Sequence, residues 1–500
     1  MASCVAAFLF FRFQTKRACL VISDHHFEER KGSFEWLGKN TMDKNTMMEH
    51  IARESHEKGG FNGAWLYAEK GEIVSKGVLG FRNPEGTLPI TEDTVFQLAS
   101  VSKQFTATAV MLLVREGKLS LEDEITKFFP EIPYPGVTIR HLLNHTSGIP
   151  DYFDDADWFI RIWKEEKRVP GNDEILRFLC ETEAKPYFAP GEGFEYSNTG
   201  YNLLALLLER LSGMPYEAFL QKNIFEPSGM TSTRCCHIRR DGVPFENYAQ
   251  ATVLEDNRYV ADVDSAEDGD VAAFDGLNGD DYVYTNIFDM LRWDRALQEE
   301  KVLTQEEQQL MYTPGKLNNG EDAVFDNDRG LAYGFGWVVG SDENLGLIVS
   351  HSGGMPGVST WYERHIDADR VLVFLINREP TDYRADVGFW NGMQAIARDK
   401  EAEPVHTIEE IAIKDPDKSK WERFCGKYEH PEDADLIIDE VFLKDGELHA
   451  NAIDDDGDAM AFRLYPIGED EFGRKAGMLK VKFGDNCLIM GDHTCQKLTD

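Results

Sequence analysis

Phe96-Gln97-Leu98-Ala99-Ser100-Val101-Ser102-Lys103 is the stretch that decides how this 500-residue chain is read. An apolar run from Val101 to Glu116 follows the serine and stops at Gly117. That pattern predicts a helix with Ser100 at its start. Residues three apart on a helix share a face, so the Lys103 amine would stand one turn from the Ser100 hydroxyl. Serine is a poor nucleophile unless a base sits beside it. A helix start also offers N–H groups and positive potential to a developing oxyanion. Alone, Ser-x-x-Lys is weak, because a helix cap followed by a surface lysine produces it more often.

Two further stretches strengthen the reading. Tyr196-Ser197-Asn198 stands just before an apolar helix expected over Asn202 to Leu211. A tyrosine beside a cationic lysine is easier to ionise, so Tyr196 could draw off the serine proton. Asn198 can donate to a substrate carbonyl. His351-Ser352-Gly353-Gly354 stands between strands expected to end at Ser350 and to start at Ser359. Glycines there would let a substrate backbone lie along a strand edge. The Gly354 N–H could act as a second oxyanion donor beside that of Ser100. Read singly, Tyr196 is a packed turn residue and His351 a structural histidine. Together the three stretches occur in one order, each at an expected element junction, as in penicillin-binding proteins and β-lactamases.

Residues 49–400 resemble the serine β-lactamase-related hydrolases, closest to class C β-lactamases, soluble D,D-peptidases and D-aminopeptidases. The three stretches above carry the resemblance, with Ile139-Arg140-His141-Leu142-Leu143-Asn144-His145-Thr146-Ser147-Gly148-Ile149-Pro150-Asp151-Tyr152, Thr199-Gly200-Tyr201 and Met290-Leu291-Arg292-Trp293. It implies an acyl-enzyme mechanism with neither metal nor cofactor. Ser100, Lys103 and Tyr196 would be catalytic; Asn198, His351, Ser352, Gly353 and Gly354 would bind substrate. The His141 to Tyr152 stretch would be a structural loop, so His145 is not assigned as a base. His351 stands where many relatives carry lysine, which turns the expectation away from β-lactams.

The implied fold class is α+β: an antiparallel sheet flanked by helices, with a helical subdomain. Paired strands are expected over Phe61 to Glu69 and Glu72 to Phe81, and later ones over Gly334 to Gly340, Leu345 to Ser350, Ser359 to His365 and Arg370 to Asn377. Helices are expected over His50 to Lys58, Thr138 to Leu143 and Ile287 to Leu297. The acidic Glu255 to Asp281 region reads as a solvated loop near the site mouth. Residues 401–420 read as a polar linker. Residues 421–500 resemble a lipocalin-like barrel through Trp421, Gly426-Lys427-Tyr428 and Asp445-Gly446-Glu447-Leu448. Residues 1–48 show no packing pattern and read as a disordered extension or a start-site artefact.

Composition limits the function. Lys and Arg number 52 against 89 Asp and Glu, a net charge of −37 that repels nucleic acid and anionic lipid. No apolar run approaches the ~20 residues of a membrane span. The weak apolar run Val5 to Phe11 makes a poor signal peptide. The eight cysteines, none in a C-x-x-C pair, read as reduced thiols, and a cytoplasmic location is expected. Asp454-Asp455-Asp456-Gly457-Asp458 lacks calcium-loop spacing and reads as a hairpin turn. The partner expected is a small molecule or short peptide: an ester, an amide or a D-amino-acid peptide. The oligomeric state is left open. The competing reading is a catalytically idle relative serving as a ligand-binding or scaffold protein.

Overall fold

A computed structural model describes residues 42–500 apart from 183, 256, 267–268, 328, 430–435, 455–458, 478, 492 and 499–500. The expectations for residues 1–41 and for the turn at 455–458 lie outside the described residues.

Helix α1 (Lys44–Glu57) starts six residues before the expected His50, because Asp43 accepts the Thr46 N–H as its cap. Met48 on this helix is fully buried, so residues 44–48 belong to the folded unit rather than to an extension. Strands β1 (Gly63–Glu69) and β2 (Glu72–Leu79) form a hairpin. Helix α2 (Lys103–Arg115) follows a single 3₁₀ turn over Ala99–Ser102. Helices α3 (Ile139–Leu143), α4 (Asn198–Ser212) and α5 (Ile287–Gln298) follow. The chain then returns to the sheet as β3 (Val324–Asp326), β4 (Leu331–Tyr333), β5 (Val338–Asp342), β6 (Gly346–Met355), β7 (Val358–His365) and β8 (Arg370–Ile376). Helix α6 (Tyr383–Ala397) closes this part.

The eight strands form one antiparallel sheet in the order β2-β1-β8-β7-β6-β5-β4-β3. Side chains alternate across a strand, and β8 uses both faces. Val371, Val373 and Leu375 join the core beneath α2, α4 and α5, with Phe105, Leu203 and Trp293. Leu372, Phe374 and Ile376 join the core beneath α1 and α6, with Met48, Phe389 and Trp390.

Four regions depart from the expectations. Strand β6 continues through His351–Gly354 to Met355, because Gly353 and Gly354 pair with Thr360 and Ser359. The motif therefore lies in a strand and not between two. The Glu255 to Asp281 region is solvated only in its first half, where residues 257, 258, 264 and 266 are exposed; Val271–Asp281 is buried, and Gly279, at φ +110°, lies against the Tyr201 carbonyl of α4. A Cβ at residue 279 would stand 2.2 Å from that oxygen, so only glycine allows the approach. The expected linker is docked, with Val405 and Ile408 fully buried. The C-terminal barrel is not closed. Strands β9 (Gly426–Lys427), β10 (Leu436–Lys444), β11 (Glu447–Asp454) and β12 (Ala459–Arg463) form one sheet. Strands β13 (Tyr465–Pro466), β14 (Glu471–Gly473), β15 (Lys480–Gly484), β16 (Cys487–Met490) and β17 (His493–Gln496) form another. The two share one core around Trp421, Phe424, Phe472 and Phe483. A Tyr428–Lys497 bridge links them at one edge, but the chain passes from β12 to β13 without a ladder.

Candidate active site

Ser100 lies on the 3₁₀ turn where β6 comes closest to the start of α2. Ala99 before it has φ 48°, a left-handed conformation that costs a non-glycine residue roughly 1 kcal/mol or more. Neighbouring structure holds that turn in place: Thr360 Oγ1 donates to the Leu98 carbonyl at 2.6 Å. Gly353 sits against the same carbonyl; a Cβ there would lie 2.1 Å from it. The glycine of the third motif thus serves first to let the strand reach the Ser100 turn.

Ser100 and Lys103 are both fully buried. Lys103 Nζ stands 2.9 Å from Ser100 Oγ, 2.7 Å from Asn198 Oδ1 and 3.2 Å from the Asp280 carbonyl oxygen. Burial lowers the Lys103 pKa, against the opposing pull of Asp281, Asp280 and Asp151. Burial thereby makes this amine easier to deprotonate than a free lysine. Asn198 turns its carbonyl to this amine, and its own N–H is held by the Asp151 carboxyl.

The Tyr196 ring lies 5.0 Å from Lys103 Nζ. Its hydroxyl is near enough for Ser100 to influence it, yet completes no well-aligned hydrogen bond. The expected ease of ionisation is reversed. Burial pushes the Tyr196 phenol well up, the Asp281 and Asp280 charges add to this, and only the Ser100 contact opposes them. Tyr196 is thus a neutral phenol, a proton donor rather than an acceptor.

His351 is buried, and both its ring nitrogens are engaged. Nδ1 pairs with the Ser352 carbonyl at 2.6 Å, and Nε2 with the Tyr333 hydroxyl at 2.8 Å. A carbonyl only accepts, so the proton sits on Nδ1 and Tyr333 donates to Nε2. Burial, with Lys103 nearby, lowers the His351 pKa to about 3. The imidazole is neutral, and its ring centre lies 6.1 Å from that of Tyr196. Ser352, Gly353 and Gly354 continue along β6. His145 accepts the Ser197 N–H at 3.0 Å and packs on the Tyr196 ring. It orients the second motif without touching Ser100.

The fold thus gathers Ser100, Lys103, Tyr196, Asn198, His351 and the Ser352–Gly354 strand into one buried cluster. It adds groups that sequence reading missed. Asp280 accepts from Tyr152 Oη at 3.0 Å and from Asn202 Nδ2 at 2.6 Å. Ser100 Oγ lies 3.4 Å from Asp281 Oδ1. Asp151 accepts the Phe153 N–H and is raised to about 7 by burial. In the sequence, Asn278-Gly279-Asp280-Asp281 looks like a polar turn. Only its distance in space from Lys103 reveals it, and no periodicity signals that.

A buried serine beside a buried amine on a helix-flanked antiparallel sheet is the arrangement that serine acyl-transfer enzymes use. The chain belongs to the family described as Beta-lactamase, which matches residues 48–394. It is similar to penicillin-binding protein 4* of Bacillus subtilis (strain 168), with 40% identity over 330 residues, covering 65% of this chain and 70% of that protein. Among solved structures, a penicillin binding protein from Bacillus halodurans superposes with a TM-score of 0.58 at 25% identity, over 70% of this chain and 99% of its own. The octameric penicillin-binding protein homologue of Pyrococcus abyssi gives 0.61 at 24% identity over 91% of this chain and all of its own. D-amino acid amidase from Ochrobactrum anthropi SV3 gives 0.57 at 23% identity over 71% of this chain and 97% of its own. The last two likenesses concern the fold alone. Among the described residues no helix is long and apolar enough to cross a membrane.

Proposed function

We propose that the protein is a serine hydrolase that forms an acyl-enzyme on Ser100 and acts on small esters, amides or D-amino-acid peptides. The observation that carries this reading is the buried Lys103 amine 2.9 Å from Ser100 Oγ. Ser100 Oγ attacks the substrate carbonyl, and its proton passes to Lys103. The N–H groups of Ser100 and Gly354 receive the oxyanion. The neutral Tyr196 phenol protonates the leaving group as the carbonyl re-forms and takes a proton back from Lys103, which frees the amine for the next step. Water then attacks the ester and releases the acid.

The charge around the site supports neutral or amine-bearing substrates over anionic ones. His351 is neutral, and three buried carboxyl groups, those of Asp151, Asp280 and Asp281, surround the amine. A β-lactam would bring its carboxylate into these surroundings. The test is a parallel screen of p-nitrophenyl esters, D-amino acid amides and nitrocefin. The reading expects kcat/KM for the best ester or amide to exceed that for nitrocefin. Nitrocefin as the preferred substrate would refute the substrate class, and the absence of all serine-directed acylation would refute the activity.

A further inference from the structure

The Ser100 hydroxyl lies between two buried ionisable groups. On one side is Lys103 Nζ at 2.9 Å; on the other is Asp281 Oδ1 at 3.4 Å. Two of the Lys103 hydrogen bonds go to carbonyl oxygens, those of Asn198 and Asp280, which only accept. A neutral amine has two N–H groups for these and a lone pair left for the Ser100 O–H. In that state a protonated Asp281 can donate to Ser100 Oγ. An ammonium has three N–H groups, and the third goes to Ser100 Oγ. The serine hydrogen then turns to an Asp281 carboxylate. Both patterns satisfy every group, carry the same total charge and contain the same protons. They differ by one proton passed along the row.

We propose that Asp281 is a further catalytic residue, which holds one proton in common with Lys103 through the Ser100 hydroxyl. The inference rests on the acyl-enzyme reading above. In either pattern Ser100 has a base beside it: the amine in one, the carboxylate in the other. When Oγ bonds to the substrate carbon, the carbonyl pair moves to oxygen and the serine proton goes to whichever group is then the base. When the carbon–leaving-group bond breaks, Tyr196 protonates the leaving group and the proton held by that base passes back to the phenol.

Other titratable groups face the pair. Asp280 and Asp151 raise the Asp281 pKa together with burial, which is the largest cause, while Lys103 and Ser100 lower it. The phenols of Tyr152, Tyr196 and Tyr282 feel the Asp281 charge. His145 and His351 face Lys103 from α3's following loop and from β6.

The test measures the second-order rate constant for fluorophosphonate labelling of Ser100 in the full chain. It compares wild type, Asp281→Asn, Lys103→Met and the double variant, after thermal unfolding has shown each to be folded. Groups that act as a unit are not additive. Each single change is expected to slow labelling ~100-fold or more, the usual scale for a lost acid–base group. The double variant should be within about threefold of the slower single one. An Asp281→Asn rate within about threefold of wild type would overturn the proposal. So would losses that multiply in the double variant, which is what separate structural damage gives. If Asp281→Asn does not fold, Asp281→Glu carries the test. It keeps a carboxyl at an altered distance, so the acid limb of the labelling pH profile should move by about half a unit or more, and an unmoved limb would overturn the proposal. A wild type that does not label at all would refute the acyl-enzyme reading instead.

Discussion

Tyr196 presents a buried hydroxyl that completes no hydrogen bond with the protein, so its removal leaves no partner stranded. Tyr196→Phe should therefore keep the wild-type melting temperature. It should lower kcat ~100-fold or more if the phenol protonates the leaving group. Steady-state kinetics with a slow amide substrate checks this, and an unchanged kcat would make Tyr196 a packing residue. Asp151 makes the opposite prediction, one about stability. Its pKa is about 7 in the fold, against 3.8 in a free chain. Below about pH 4 the carboxyl is protonated both folded and unfolded and costs nothing. Between about pH 4 and 7 the unfolded chain releases this proton while the folded protein keeps it, so stability falls across that window and levels off above 7. Asn198 and Phe153 donate to different oxygens of Asp151, so Asp151→Asn keeps an acceptor for only one of them, a loss that does not vary with pH, and it has no such titration. Its stability relative to wild type should rise between pH 4 and pH 8, by up to about 4 kcal/mol. Denaturant melts at the two pH values measure it, and a constant difference would show that Asp151 is not carrying this shift. The serine, the lysine and the tyrosine were legible because spacing and element junctions announce them. The three aspartates were not: Asp280 and Asp281 follow Gly279 and read as a polar turn, and Asp151 follows Pro150 in a loop, until burial is known.

Among the elements, β6 shows how a local rule was overruled by packing. Two adjacent glycines look like a turn, and the sequence reading ended the strand at Ser350. The strand continues because its neighbour β7 supplies Thr360 and Ser359 as partners, and because glycine allows contact with Leu98. Gly353→Ala should therefore disturb the nucleophile turn. Overpacking of this kind costs typically 1–3 kcal/mol. Labelling of Ser100 should slow at least ~10-fold, with a lower melting temperature. Wild-type values for both would mean that the turn does not depend on this contact. Strands β1, β2, β7 and β8 were legible within two residues at each end, since their apolar runs and turns are strong. Strands β3 and β4 and helix α6 were not picked out. The first two are only three residues each, and the polar residues Arg384, Asp386 and Asn391 interrupt the pattern of α6.

At the scale of the whole chain, the C-terminal sheets have their own core and meet the rest around Tyr383, Ile408 and Ile413. Ile413 donates its N–H to the Pro466 carbonyl at 2.7 Å, and Lys475 pairs with Glu409 at 3.3 Å. A chain ending at residue 415 should fold and label at Ser100, while its preference among substrates shifts. A folded truncate without labelling would show that these sheets complete the site. At the other end, a chain starting at Met42 retains the Asp43 cap and should match wild type, whereas one starting at His50 loses the buried Met48 and about 2–5 kcal/mol. Thermal melts of the two separate these outcomes. The register that would close a barrel was invisible in the sequence, because alternation gives strands but not their neighbours. The central claim for the whole molecule is that Ser100 becomes acylated. Mass spectrometry of the intact chain after fluorophosphonate treatment, followed by peptide mapping, tests it most directly. The account predicts one adduct per chain, on the peptide containing Ser100, and none on Ser100→Ala. An adduct on another residue, or equal labelling of Ser100→Ala, would contradict it.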